Sequence, residues 1–168
     1  MSGKANNRSD HKIVIERTYE ASIDDVWELW TTSAGIESWW GPEGFSVKVQ
    51  ELDLRAGGQM VYAMTAVAPP QVEFMKKAGM PLTTEARLTY TEIVTSKTIA
   101  YTHRADFIPG VEPYSVGSKV DFFAVGGNVR MVVTLDPMHS DEWTHRAVMG
   151  MESQLGKLAR VIAIRGRK

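Results

Sequence analysis
Four histidines, five tyrosines and no cysteine bound the proton and nucleophile chemistry open to this chain. His103 lies on the alternation Ile99, Tyr101, His103, Ala105, Phe107, which sends its ring to the same side of a strand as Tyr101. An imidazole beside a phenol or carboxylate inside a cavity can move protons near neutral pH, as a cyclase or hydrolase requires. His103 and Tyr101 are therefore the candidate catalytic residues, with Tyr90 or Asp106 as further partners. The same imidazole also reads as a polar residue that orients a ligand or completes the sheet. His139 and His145 flank the start of the last helix, with Asp141 and Glu142 between them. That spacing places two ligands poorly on one helical face, and no His-Glu-x-x-His pattern occurs, so no metal site and no cofactor are expected. Without a Gly-x-Ser-x-Gly elbow or any cysteine, nucleophilic catalysis has no visible carrier.

The nine methionines suggest a different chemistry. Met60 and Met64 share a strand face, Met131 lies on another strand, and Met149 and Met151 fall on the last helix. Such residues fill cores, and they also build adaptable walls around irregular apolar molecules. The candidate ligand-binding residues are Trp39, Met60, Tyr62, Met64, Tyr90, Tyr101, His103, Phe122, Met131 and Met151. Because strand side chains alternate, only part of this set can face one cavity. Trp39-Trp40-Gly41-Pro42 puts two large rings at a helix end, either as a plug for the sheet or with one ring aimed inward.

The elements that must position these residues follow from periodicity. His11 to Glu20 alternates as a first strand. Ser22 is an N-cap with Asp25 in capping-box position, and Val26, Leu29 and Trp30 continue a short helix to Thr31. A second helical segment is expected over Ser33 to Trp39. Phe45, Val47, Val49 and Glu51 then share one strand face, opposite Leu52 and Leu54. Arg55-Ala56-Gly57-Gly58 is a tight turn into a return strand carrying Met60, Tyr62 and Met64. Residues 68–84 interrupt the rhythm, with a helical turn or two over Val72 to Lys77. This segment reads equally as a lid or as a surface insertion tacked down by Phe74 and Met75. Strands resume over Ala86 to Val94, Thr98 to Phe107, Lys119 to Val125 and Val129 to Leu135. A final helix spans Asp141 to Ile164, with Val148, Met151, Leu155, Leu158 and Ile162 as its apolar stripe and Arg146, Glu152, Lys157 and Arg160 on its other sides. A long one-faced helix after a run of antiparallel strands should lie across the sheet's concave face.

The predicted class is α+β: a curved antiparallel sheet of about six to seven strands around a long C-terminal helix, with two short helices after the first strand. Asp24-Asp25-Val26-Trp27-Glu28-Leu29-Trp30-Thr31, then Trp39-Trp40-Gly41-Pro42-Glu43-Gly44-Phe45, resemble the opening of the SRPBCC superfamily, the START-like helix-grip fold shared with the birch-pollen allergens. Asp53-Leu54-Arg55-Ala56-Gly57-Gly58 is similar to a turn of the branch related to the activator of the heat-shock chaperone ATPase. The resemblance covers about Lys12 to Ile164. It implies a cavity between helix and sheet, and folds of this kind host carriers, cyclases, hydrolases and co-chaperone domains. Relatives often carry Gly-Trp in the last helix, whereas Gly150 is followed by Met151, a flexible thioether in place of a rigid ring. A stress-response role and contact with a chaperone are implied by the resemblance alone.

Composition sets the outer limits. The 168 residues carry 19 Lys plus Arg against 20 Asp plus Glu, a net charge of -1, which excludes a broad electrostatic nucleic-acid binder. No stretch reaches the ~20 apolar residues of a membrane span. The chain is expected to be one domain over residues 12–164, with a disordered polar tail at 1–11, a basic tail at 165–168 and a cytoplasmic location. The expected function is binding of a small apolar or aromatic molecule or lipid, with a cyclase- or hydrolase-like enzyme and a chaperone-interacting module as alternatives. Exposed strand edges or the 68–84 segment could also pair two copies.

Overall fold
Alternating apolar residues with β-branched and aromatic character drive seven strands into a single antiparallel sheet. In the computed structural model, which describes residues 11–105 and 110–165, they are β1 (Ile13–Tyr19), β2 (Phe45–Leu52), β3 (Gln59–Ala66), β4 (Thr83–Val94), β5 (Thr98–Ala105), β6 (Tyr114–Val125) and β7 (Asn128–Leu135). Their order across the sheet is β1-β7-β6-β5-β4-β3-β2, so β1 and β2 form the two edges. Four helices complete the chain: α1 (Ile23–Thr31), α2 (Ser33–Glu37), α3 (Pro69–Lys77) and α4 (Asp141–Arg165). This is the expected α+β architecture, a curved open sheet with two short helices after the first strand and one long helix at the end. Residues 1–10 of the polar tail, the candidate partner Asp106, the expected strand end Phe107 and the last three residues of the basic tail lie outside the described residues.

Local chemistry explains the helix starts. Ser22 Oγ accepts the Asp25 backbone N–H at 3.1 Å, and Thr32 Oγ1 accepts that of Gly35 at 3.0 Å. α2 ends at Glu37, short of the Trp39 expected from the sequence, because the chain turns so that the Trp39 and Trp40 backbone N–H groups close onto the Ile36 carbonyl. Pro69 and Pro70 do more than break the preceding strand. They occupy the first positions of α3, where a missing N–H costs nothing. Met75 is buried and tacks α3 down as expected, whereas Phe74 is exposed. β4 begins at Thr83, so the interruption is shorter than residues 68–84.

Two strands differ from the periodic reading. A register shift between Val49 and Glu51 places a bulge in β2, which turns Leu52 back to the core side with Val47 and Val49 and leaves Glu51 exposed. β6 starts at Tyr114, five residues earlier than expected, because Tyr114 pairs with Ala105 and the segment between is held by the ladder to β5. The turn after β2 is close-packed. A Cβ on Gly58 would lie 2.1 Å from the Asp53 carbonyl oxygen, so no other residue fits there.

The core lies between the sheet and α4. Met151, Leu155, Leu158 and Ile162 of the expected stripe are buried and Val148 packs partly against them, but Gln154 is buried within the same stripe. Met149 is exposed and belongs to no wall. The C-terminal half of α4 runs beside α1, where Leu29, Ile162 and Arg165 line one small crevice and Arg165 pairs with Glu28 at 3.0 Å. Val26, Leu29, Trp30, Ile36 and Trp39 fill this end of the molecule. In the other half of α4, Trp143 and Ala147 pack on a smaller cluster of Ala105, Val116 and Met138, and the rest borders open space over the sheet.

Candidate functional site
That space is a pocket of about 410 Å3. Its sheet wall carries Tyr62 and Met64 of β3, Leu88 of β4, Tyr101 and His103 of β5, Val116 and Ser118 of β6, and Leu135 of β7. Its helix wall carries Trp143, Arg146, Ala147, Gly150, Met151 and Gln154, and the turns Trp40-Gly41-Pro42 and Asp136 to Met138 contribute the rest. Register explains the grouping: His103 pairs with both Leu88 and Val116, and Tyr101 pairs with Ser118, which in turn pairs with Leu135. Adjacent strands thus deliver side chains of one face to one place.

Of the ten sequence candidates, Tyr62, Met64, Tyr101, His103 and Met151 line this pocket. Trp39, Met60, Tyr90, Phe122 and Met131 lie outside it. Met60 and Tyr90 share the inward face but sit deeper, around a crevice of about 10 Å3, with the Tyr90 hydroxyl against the Met60 sulfur at 3.9 Å. Phe122 is covered by Trp27 and Trp30, whose ring centroids lie 5.5 and 5.9 Å away. Met131 is fully buried one strand over. Trp39 is the plug: its ring is fully buried, stacks edge-on against Trp30 at 4.6 Å, and donates Nε1–H to the Leu29 carbonyl at 2.8 Å. The ring aimed at the pocket is its neighbour Trp40, whose centroid lies 6.3 Å from Tyr62 and 6.2 Å from Tyr101.

Protonation follows burial. Desolvation holds His103 below its usual 6.5, so the imidazole is neutral at pH 7. Its ring makes no hydrogen bond to the described residues, and it therefore presents one donor and one acceptor site. Desolvation also pushes the Tyr101 hydroxyl upward, against the weaker pull of Ser118, and Tyr62 is raised in the same way against Trp40. Both phenols stay protonated. His139 is elsewhere engaged. The Tyr114 hydroxyl accepts its backbone N–H at 3.0 Å and shares a hydrogen bond with its Nδ1 at 3.0 Å. Among the described residues, no group of three or more His, Cys, Asp or Glu could hold a metal ion.

The rim is set by contacts that the apolar stripe did not reveal. Gln154 Oε1 accepts the Gly41 N–H at 2.9 Å and Ser153 Oγ that of Glu43 at 3.0 Å. Lys157 Nζ donates to the carbonyls of Trp40, Gly41 and Phe45 at 3.2, 3.1 and 3.2 Å, and Arg160 pairs with Glu43. Lys157 and Arg160, expected on the free sides of the helix, instead clasp the turn that presents Trp40.

A sheet gripping a helix over a side pocket defines the helix-grip class. The family model for "Activator of Hsp90 ATPase homolog 1-like protein" matches residues 20–163, and the chain belongs to that family, of SRPBCC-type fold. Its fold is similar to that of a protein from Chromobacterium violaceum, with TM-score 0.72 at 20% identity, over 90% of this chain and 96% of that one. The AHSA1 protein of Silicibacter pomeroyi gives 0.71 at 18%, over 92% and 99%. The AHSA1-like protein of Aeromonas hydrophila gives 0.72 at 19%, over 94% and 96%. No curated protein matches. Among the described residues, no helix is long and apolar enough to cross a membrane.

Proposed function
We propose that this protein binds a small, largely apolar molecule in the pocket between α4 and the sheet, with His103 as the hydrogen-bonding point on the sheet wall. The observation that carries this reading is a volume of about 410 Å3 walled by Trp40, Tyr62, Met64, Tyr101 and Met151. Ligand sites are apolar concavities of roughly 300–1,000 Å3 with a few polar groups to fix orientation, and this pocket has that make-up. A neutral imidazole without a partner among the described residues recognises a hydroxyl or carbonyl at little desolvation cost. Met64 and Met151 let the walls adapt to an irregular outline.

The test is titration with N-phenyl-1-naphthylamine, an uncharged dye that brightens in apolar surroundings. Saturable one-to-one binding is expected, with energy transfer from tryptophan. Gly150→Trp should abolish it, because a Cβ at Gly150 meets nothing within 4 Å and the added ring enters the pocket. Undiminished binding in that variant, or none in the wild type, would rule the pocket out as the binding site.

A further inference from the structure
The charged groups among the described lining of the pocket are Asp136 and Arg146, and they are not equivalent. Asp136 is fully engaged by the protein. Its Oδ2 accepts the Gly117 N–H at 2.9 Å, and its Oδ1 holds the Lys12 ammonium. A Cβ at Gly117 would sit 2.7 Å from Oδ2, so the glycine is what admits this carboxylate. Asp136 therefore ties β6 and β7 to the start of β1, with one oxygen held by a backbone N–H and the other partly neutralised by Lys12.

Arg146 has capacity to spare. One of its N–H groups reaches Glu142 at 2.8 Å, one helical turn away, and the two side chains are 59% and 70% exposed. A pair that exposed contributes little and is easily shared. The guanidinium carries five donors in a planar fork that matches a carboxylate edge. Its carbon lies 4.8 Å from the centre of the Trp143 ring, which orients the plane. Trp143 in turn stacks beside His139 at 6.3 Å, and His139 is fixed by Tyr114. The cation is thus presented at the open edge of an apolar pocket by a supported aromatic stack.

We propose that the pocket selects an organic acid: its anionic group pairs with Arg146 on the helix wall, and its apolar body lies across Trp40, Tyr62, Met64 and Tyr101. This rests on the ligand-binding reading above and adds the chemical class. The arrangement suits an amphiphilic anion because the charge stays at the exposed rim, where it keeps part of its water, while the body is desolvated. A charge placed deeper would meet protonated phenols and a neutral imidazole, with no cation among the described residues to receive it.

The test compares two dyes that share one aromatic skeleton, 1-anilinonaphthalene-8-sulfonate and the uncharged N-phenyl-1-naphthylamine. The wild type should bind the anionic dye about five- to tenfold more tightly in low salt, as one charge-assisted contact at a partly wet rim allows. Added salt should narrow that gap. Arg146→Gln should remove the preference by weakening the anionic dye far more than the neutral one, and Glu142→Gln should enlarge it. Competition at lower concentration by 2-naphthoate than by 2-naphthalenemethanol extends the result to carboxylates. If Arg146→Gln leaves both affinities unchanged, or lowers both alike, the acid proposal is wrong and the pocket reading survives. If neither dye binds, or Gly150→Trp still binds both, the pocket reading fails and the acid proposal with it.

Discussion
His103 and Tyr101 lie on the same face of β5, but burial gives them different roles. Tyr101 is sealed in the wall and holds its proton, whereas His103 faces the pocket with its ring nitrogens unclaimed by the described residues. The lowered pKa of His103 has a consequence for stability. As pH falls through the unfolded value near 6.5, the unfolded chain takes up a proton that the folded protein refuses. Stability therefore falls with pH from about 7 down to the folded pKa and levels off below it. His103→Gln removes this contribution, so urea midpoints at pH 7.5 and 5.5 should differ less for the variant than for the wild type. Equal differences would place the imidazole in water. Alternation along β3 and β5 is enough by itself to put Tyr62 with Met64, and Tyr101 with His103, on one face of each strand. It could not distinguish Trp39 from Trp40, since two adjacent identical rings at a helix end differ only in how the following turn is built.

At the scale of elements, α4 and the turn from Trp40 to Phe45 form one unit. Lys157 satisfies three carbonyls of that turn, and Gln154 satisfies one of its N–H groups. Burial lowers the Lys157 pKa, partly offset by nearby Glu43, which marks the ammonium as withdrawn from bulk water. Lys157→Met should destabilise the fold by about 1.5–3 kcal/mol, the usual loss for hydrogen bonds to a charged group. It should also weaken dye binding and raise amide hydrogen exchange across Gly41 to Phe45, because Trp40, Gly41 and Pro42 line the pocket. Arg160→Ala is the contrasting control: it removes an exposed pair with Glu43 and should cost under about 1 kcal/mol. Faster exchange in the Arg160 variant than in the Lys157 variant would refute the clasp. None of this was legible in the apolar stripe, which counts hydrophobic residues and discards polar ones. A signal did exist. Trp143, Ala147, Gly150, Met151 and Gln154 recur at helical spacing, so they share a face that a polarity-blind reading would have found.

For the molecule as a whole, the question is why one half of the helix packs closely on the main core while a pocket stays open beside the other half. Leu155, Leu158 and Ile162 fill the end closed by α1 and α2, while Gly150 faces the pocket and fills nothing and Ala147 packs beside Trp143 on the small cluster of Ala105, Val116 and Met138. The open volume is therefore written in the size gradient along α4, and the order of elements alone could not disclose it. Two glycines separate the claims. Gly150 and Gly156 both lie inside α4 with nothing within 4 Å of an added Cβ, but only Gly150 borders the pocket. Replacing glycine in a helix interior gains about 0.8–1 kcal/mol from propensity alone. Gly156→Ala should thus raise the melting temperature by roughly 2–4 °C and leave dye affinity unchanged. Gly150→Leu should raise it by at least as much, since the side chain also buries apolar surface against Tyr62 and Met64, and should abolish binding. Calorimetry and dye titration on the same two variants decide the matter. A lowered melting temperature for Gly150→Leu would mean that the helix already touches the sheet there. A raised one with binding lost would mean that this fold forgoes stability along half of α4 in order to keep the space open.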